Sequence, residues 1–112
     1  MITSKNNELI KYIKKISSKA KVRRLDKVFF AEGRRLLSET PPSLLEKILV
    51  SEDFFFGDTP ADKKLREILN TCKDVEEVSA GVFSEISDTS HSQGIAAVVR
   101  QPAYQLTDLL HG

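Results

Sequence analysis

A layered α/β domain is the fold class that this sequence predicts, and three observations predict it. Short apolar runs at 28–31, 47–50 and 95–99 alternate with segments of helical period, the pattern of a sheet flanked by helices. Those runs are almost continuously apolar, as in strands covered on both faces. The length of 112 residues suits one domain, burying roughly 60–70% of its unfolded surface. The expected order is helix, strand, four times over, with a mixed, mostly parallel four-stranded sheet.

Each element has its own signal. Residues 6–18 place Leu9, Tyr12, Ile13 and Ile16 on one face, with Ile10 at its edge and Lys11, Lys14 and Lys15 opposite, an amphipathic helix. Asn6 or Asn7 is placed to cap it. Residues 17–21 are polar and read as a loop or a frayed helix end, and 23–27 as a short turn. Residues 28–31 form a bulky apolar strand ended by Glu32-Gly33. Residues 34–39 read as a helix with Leu36 and Leu37 inward, stopped by Pro41-Pro42. Residues 47–50 are a second strand, and 52–58 an acidic, aromatic loop.

Thr59-Pro60-Ala61-Asp62 has the form of a helix start: a Thr cap, Pro in the first turn and an acid at the capping-box position. Leu65, Ile68, Leu69 and Cys72 follow at helical spacing. Residues 75–78 mix apolar and acidic residues as a strand, 80–86 form one or two helical turns, and 88–94 a polar turn. The last strand, 95–99, is stopped by Pro102, and residues 105–112 read as a tail or linker.

Composition closes several options. The 40% hydrophobic content argues against disorder. One Cys, Cys72, excludes an internal disulfide framework and a Cys-rich zinc site, and two His, at 91 and 111, make no metal cluster. No apolar run approaches the ~18 residues of a membrane span. Lys5, Lys11, Lys14 and Lys15 interrupt the N-terminus, which is therefore not a secretory signal. The expected setting is the cytoplasm, with no membrane partner. The net charge of +1 hides a segregation. Residues 1–35 carry 11 Lys/Arg against 3 Asp/Glu, a balance of +8, and residues 36–112 carry 6 against 13, a balance of −7.

Three features bear on chemistry. The first is the basic segment, with Lys11, Lys14, Lys15, Lys19, Lys21, Arg23, Arg24, Lys27, Arg34 and Arg35 within 25 positions. Such a cluster attracts phosphate backbones, or is simply a solvated surface; the charge segregation favours an anionic partner. The second is Glu32-Gly33-Arg34-Arg35 at a strand-to-helix turn. Gly33 permits close approach of a ligand. Two arginines in a first helical turn cost about 0.3–1 kcal/mol each at most, a misplacement that can mark a binding site. The simpler reading pairs Arg35 with Glu39 and makes Gly33 an ordinary turn residue. The third is Asp88-Thr89-Ser90-His91-Ser92-Gln93-Gly94. Its Ser and His are too close in sequence for nucleophile–base geometry. Gln93 and Gly94 offer an amide and exposed backbone to RNA. Cys72 reads as core and Phe54-Phe55-Phe56 as a contact patch or loop packing. The glycines at 33, 57, 81, 94 and 112 are too dispersed for a phosphate-cradling loop, and no machinery for a chemical step is visible.

Three stretches together resemble SpoU-type (TrmH-type) RNA 2′-O-ribose methyltransferases. Ser4-Lys5-Asn6-Asn7-Glu8-Leu9-Ile10-Lys11 is similar to the family's opening. Arg24 through Phe29-Phe30-Ala31-Glu32-Gly33-Arg34-Arg35-Leu36 is similar to a stretch of the family that carries its F-x-x-E-G-x-R-L run. Val82-Phe83, then Ile86-Ser87-Asp88-Thr89 and Gln93-Gly94-Ile95-Ala96-Ala97-Val98, complete the set in order. Ser92 departs from the proline often found before the Gln-Gly pair. The resemblance implies an N-terminal RNA substrate-binding domain over 1–104, with a linker beginning over 105–112. It implies a three-layer α/β/α sandwich similar to kink-turn-binding ribosomal proteins. A knotted catalytic domain, absent from this chain, is implied to bind S-adenosylmethionine, perform methyl transfer and form the homodimer. This chain alone is then expected to hold no cofactor and catalyse nothing. Its expected partners are structured ribosomal or transfer RNA and the catalytic domain of the same full-length chain. Lys11, Lys14, Lys15, Lys19, Lys21, Arg23 and Arg24 are the expected phosphate contacts, with Glu32, Gly33, Arg34, Arg35, Gln93 and Gly94 as a second RNA-facing group. The alternative is a protein-interaction domain that docks a partner, or the catalytic domain, through its acidic and aromatic face.

Overall fold

A computed structural model describes residues 1–88 and 92–101. The first helix, α1 (Glu8–Ser18), begins where the Asn7 side chain accepts from the Leu9 N–H at 2.8 Å. It buries Ile10, Ile13 and Ile16 completely, worth about 1.5–3 kcal/mol for each side chain. Residues expected as a loop and short turn instead form a second helix, α2 (Ala20–Asp26). It has no buried residue, so hydrophobic period gave no sign of it. Two side chains pin it to α1. The Arg23 guanidinium donates to the Ile16 and Ser17 carbonyls at 2.6 and 3.1 Å, and the Tyr12 hydroxyl donates to Asp26 at 2.6 Å. Burial, reinforced by the Asp26 bond, pushes the Tyr12 phenol up to about 12, so it remains a donor. Lys27 ends α2 in a left-handed conformation, φ 56°.

The chain then runs through β1 (Val28–Glu32), α3 (Arg34–Glu39), one 3-10 turn (Pro42–Leu44) and β2 (Leu45–Ser51). It continues through α4 (Pro60–Thr71), β3 (Val75–Val78), α5 (Ala80–Ile86) and β4 (Ile95–Arg100). α4 starts as its sequence predicts, with Thr59 accepting from the Asp62 N–H. The expected strand end at Pro102 and tail at 105–112, like residues 89–91 of the polar turn, lie outside the described residues.

The sheet order is β1-β4-β2-β3. It is mixed, as expected, but not mostly parallel: β4 pairs antiparallel with β1 and with β2, and only β2 and β3 pair in parallel. The reason is position. β1, β2 and β3 run the same way, but the one reversed strand is inserted between β1 and β2, so two of three pairings are antiparallel. β4 is buried from Ile95 to Val99, which explains its unbroken apolar sequence.

Side chains alternate across the sheet. Val28, Leu49, Ala96 and Val98 join Ile10, Ile13, Ile16, Val82, Phe83 and Ile86 in a core under α1 and α5. Ala31, Ile48, Ile95, Ala97 and Val99 join Leu37, Leu65 and Ile68 in another under α3 and α4. Leu45 and Ile48 share that second core although three residues apart; a register shift between Leu45 and Lys47 restores the face. Helices therefore cover both faces, the α/β/α sandwich. Ile2 bridges Val78 on the outer edge of β3, a contact without a sequence signal. No helix of the described residues is long and apolar enough to cross a membrane.

Candidate nucleic-acid interface

The antiparallel register of β1 on β4 sets Glu32 opposite Ala96. The turn after β1 and the turn before β4 therefore meet at one end of the sheet. Gly33, at φ 113°, donates its N–H to the Ile95 carbonyl at 3.0 Å. The Arg34 N–H donates to Gln93 Oε1 at 2.7 Å, across 59 positions of sequence. Gly94 takes φ 76°, and a Cβ there would lie 3.4 Å from the Phe54 Cβ. The structure thus gathers Glu32, Gly33, Arg34, Gln93 and Gly94 from two distant turns.

Glu32 braces this junction. Its carboxylate accepts from the Ser87 hydroxyl, from the Asp88 N–H at 3.0 Å and from the Ser92 hydroxyl at 3.3 Å. Arg34 points inward. Its guanidinium donates to Asp62 Oδ1 at 2.6 Å, with its side chain only 19% exposed. It lies 4.6 Å from the Phe54 ring centroid and 5.4 Å from that of Phe55, within cation–π range. Asp62 is buried. The Thr59 hydroxyl first, then the Arg34 guanidinium and the Gly57 backbone, hold its carboxyl down at about 2 despite burial. A Cβ on Gly57 would come within 2.7 Å of Asp62 Oδ2, so glycine there makes room for the carboxylate. The unfavourable place of Arg34 at a helix start has its reason in Asp62, not in a free binding position.

Arg35 is 89% exposed, and its ion-pair partner among the described residues is Glu39 at 3.3 Å, a surface i,i+4 pair worth about 0.3–0.5 kcal/mol. Arg35 lines a groove of about 660 Å³ between α3 and α4, with Ser38, Thr59, Lys64 and Gln93. An adjoining hollow of about 320 Å³ is lined by Arg34, Asp53, Phe54, Phe55, Ser92, Gln93 and Gly94. Lys64, Thr59 and the Phe loop were not linked to the Gly33 turn by sequence, because only the tertiary fold joins them. The expected contact patch at 54–56 reduces to one residue: Phe54 and Phe56 pack against the second core, edge to face at 5.1 Å, and Phe55 stays 72% exposed.

The remaining expected cations lie on α1, on α2 and at Lys19 between them, on the face of the sheet opposite α3 and α4. Lys11 approaches Glu8 at 3.9 Å and Lys14 approaches Glu85 at 3.5 Å. Arg23 is occupied with the α1 carbonyls. Lys15, Lys19, Lys21 and Arg24 are exposed and have no acidic partner among the described residues. The described residues also contain no group of three His, Cys, Asp or Glu able to hold a metal ion.

Comparison with known proteins adds an independent line. The family model for the MRM3-like substrate binding domain matches residues 7–97. No curated protein matches the chain. Among solved structures, an RNA 2′-O ribose methyltransferase is 27% identical, with 91% of this chain and 38% of that one covered and a TM-score of 0.69. The rRNA methyltransferase from Sinorhizobium meliloti is 20% identical, covering 90% and 36%, at a TM-score of 0.63. The SpoU methyltransferase AviRb from Streptomyces viridochromogenes, in complex with AdoMet, is 17% identical, covering 91% and 36%, at 0.60. The last two share the fold. This chain spans less than two fifths of each.

Proposed function

The chain belongs to the MRM3-like substrate-binding domains, and from this premise we propose that it recognises structured RNA for a 2′-O-ribose methyltransferase. The observation that carries the proposal is the group Lys15, Lys19, Lys21 and Arg24, exposed on α1, on α2 and between them without acidic partners among the described residues. Cations held on a folded surface bind phosphates by Coulomb attraction and by releasing condensed counterions. Arg35 supplies a further cation at the Gly33–Gln93 junction, where the weak Glu39 pair is easily exchanged for a phosphate. The RNA is ribosomal or transfer RNA, read by shape and by unpaired segments rather than through a duplex major groove.

The full-length protein, on this reading, is a homodimeric cytoplasmic enzyme whose catalytic part uses S-adenosylmethionine. That cofactor belongs to the catalytic part on this reading, and the dispersed glycines of this chain offer no close-spaced backbone cradle. This chain's part is to hold the RNA so that one ribose hydroxyl reaches the catalytic part.

Replacing Lys15, Lys19 and Lys21 together by Gln tests this. Affinity for ribosomal RNA fragments is expected to fall at low salt, and the salt dependence of binding to shrink by about 2 in log–log slope, ~0.7 for each lost contact on single strands. Unchanged affinity and slope in a folded variant would remove these residues from the interface.

A further inference from the structure

We infer that Phe55 is a stacking platform for one unpaired nucleobase, with Gln93 as a hydrogen-bond donor to that base's edge; the inference rests on the RNA-recognition reading above. Four observations carry it. Phe55 is 72% exposed, while its neighbours Phe54 and Phe56 are packed. A large exposed ring beside packed neighbours offers a flat apolar face on which a planar ligand can bury area.

The ring is also held from behind. The Arg34 guanidinium lies 5.4 Å from the Phe55 centroid and is itself fixed by Asp62 at 2.6 Å. Phe54 is fixed against Gly94 and Phe56. The ring is therefore presented by a braced loop, so little ordering cost remains to be met on binding.

Third, Gln93 shares the 320 Å³ hollow with Phe55. Only its amide oxygen can accept the Arg34 N–H, at 2.7 Å. That fixes the amide's orientation and leaves the Nε2 group without a partner among the described residues. Gln93 therefore offers its Nε2 group as a donor, whose complement is an acceptor on the ligand.

Fourth, the adjoining groove carries exposed Arg35 and Lys64, placed for a phosphate. A flat face with acceptors on its edge and an anion beside it describes a nucleotide lifted out of a helix. Stacking on an aromatic side chain is how such a base is usually held.

The chain contains no tryptophan, so Phe55→Trp makes a single fluorescent reporter at the site. The probes are an RNA stem–loop with a uridine-rich loop and a fully paired duplex of the same stem. The stem–loop is expected to quench the fluorescence of the introduced indole and the duplex to leave it unchanged. Phe55→Ala is expected to weaken stem–loop binding about 5- to 150-fold and leave duplex binding as it was, and Gln93→Glu to weaken stem–loop binding too. Both altered positions are exposed, and circular dichroism checks folding.

If the stem–loop binds while the indole stays unquenched and Phe55→Ala has no effect, the stacking platform is wrong and RNA recognition stands. If the unaltered chain binds neither RNA at low salt, the RNA-recognition reading fails and this inference falls with it. A blue shift of the indole emission that grows with protein concentration alone assigns the ring to a protein contact and overturns the inference.

Discussion

Arg34 and Arg35 are adjacent in sequence but opposite in role. Arg34 is enclosed by Asp62 and two phenylalanine rings, and Arg35 stands in solvent. The sequence marked both as candidate cations, because nothing local distinguishes them. The difference lies in Asp62, 28 positions away, whose capping role with Thr59 was legible but whose contact with Arg34 was not. The same contact makes a pH prediction. Asp62 titrates near 2 in the folded chain against an ordinary 3.8. A carboxyl depressed by folding contributes stability above its unfolded pKa and loses it as pH falls through the folded one. The melting temperature of the native chain is therefore expected to drop between about pH 4 and pH 2 by more than that of Asp62→Asn. Parallel pH curves for the two would contradict the assignment of Asp62 as the anchor.

At the scale of elements, legibility followed hydrophobic period. α1 announces itself through Ile10, Ile13 and Ile16, and α4 through Leu65 and Ile68 beneath a Thr–Pro–Ala–Asp start. α2 has no such face. Its Leu25 is exposed, and its place depends on polar contacts from Arg23 and Tyr12 that no local pattern encodes. Arg23, expected on phosphate, is the residue that closes the end of α1. Arg23→Ala is expected to cost about 1–2 kcal/mol of stability, since hydrogen bonds from a charged donor are worth more than neutral ones but these are only partly buried. It is also expected to raise hydrogen exchange over α2 before any other helix. An unchanged exchange pattern would show that α2 is held by something else. The strands were legible for a different reason: β1, β2 and above all β4 read as apolar runs, β4 being buried on both faces from Ile95 to Val99. Their pairing was not, because neighbour choice depends on where β4 enters. That entry is what joins Gly33 to Gln93.

For the whole molecule, the near-zero net charge proves to be two opposed populations, and the fold divides the basic one again. Lys15, Lys21 and Arg24 lie on α1 and α2, with Lys19 between them, and Arg35 lies on α3, on the opposite face of the sheet. A ligand touching both groups must be extended and anionic, as a structured RNA is. A small anion would engage only one. The alternative of an acidic and aromatic docking face is weakened by the inward packing of Phe54 and Phe56. What the sequence could offer was the residues of each turn and the family likeness; the assembly of one junction from both turns required the sheet order.

The most direct measurement of RNA recognition is the affinity of the unaltered chain for a ribosomal RNA fragment with single-stranded segments, taken at several salt concentrations. Five phosphate contacts, from Lys15, Lys19, Lys21, Arg24 and Arg35, predict a log–log slope of about −3.5. A flat salt response, or no binding at low salt, would contradict it.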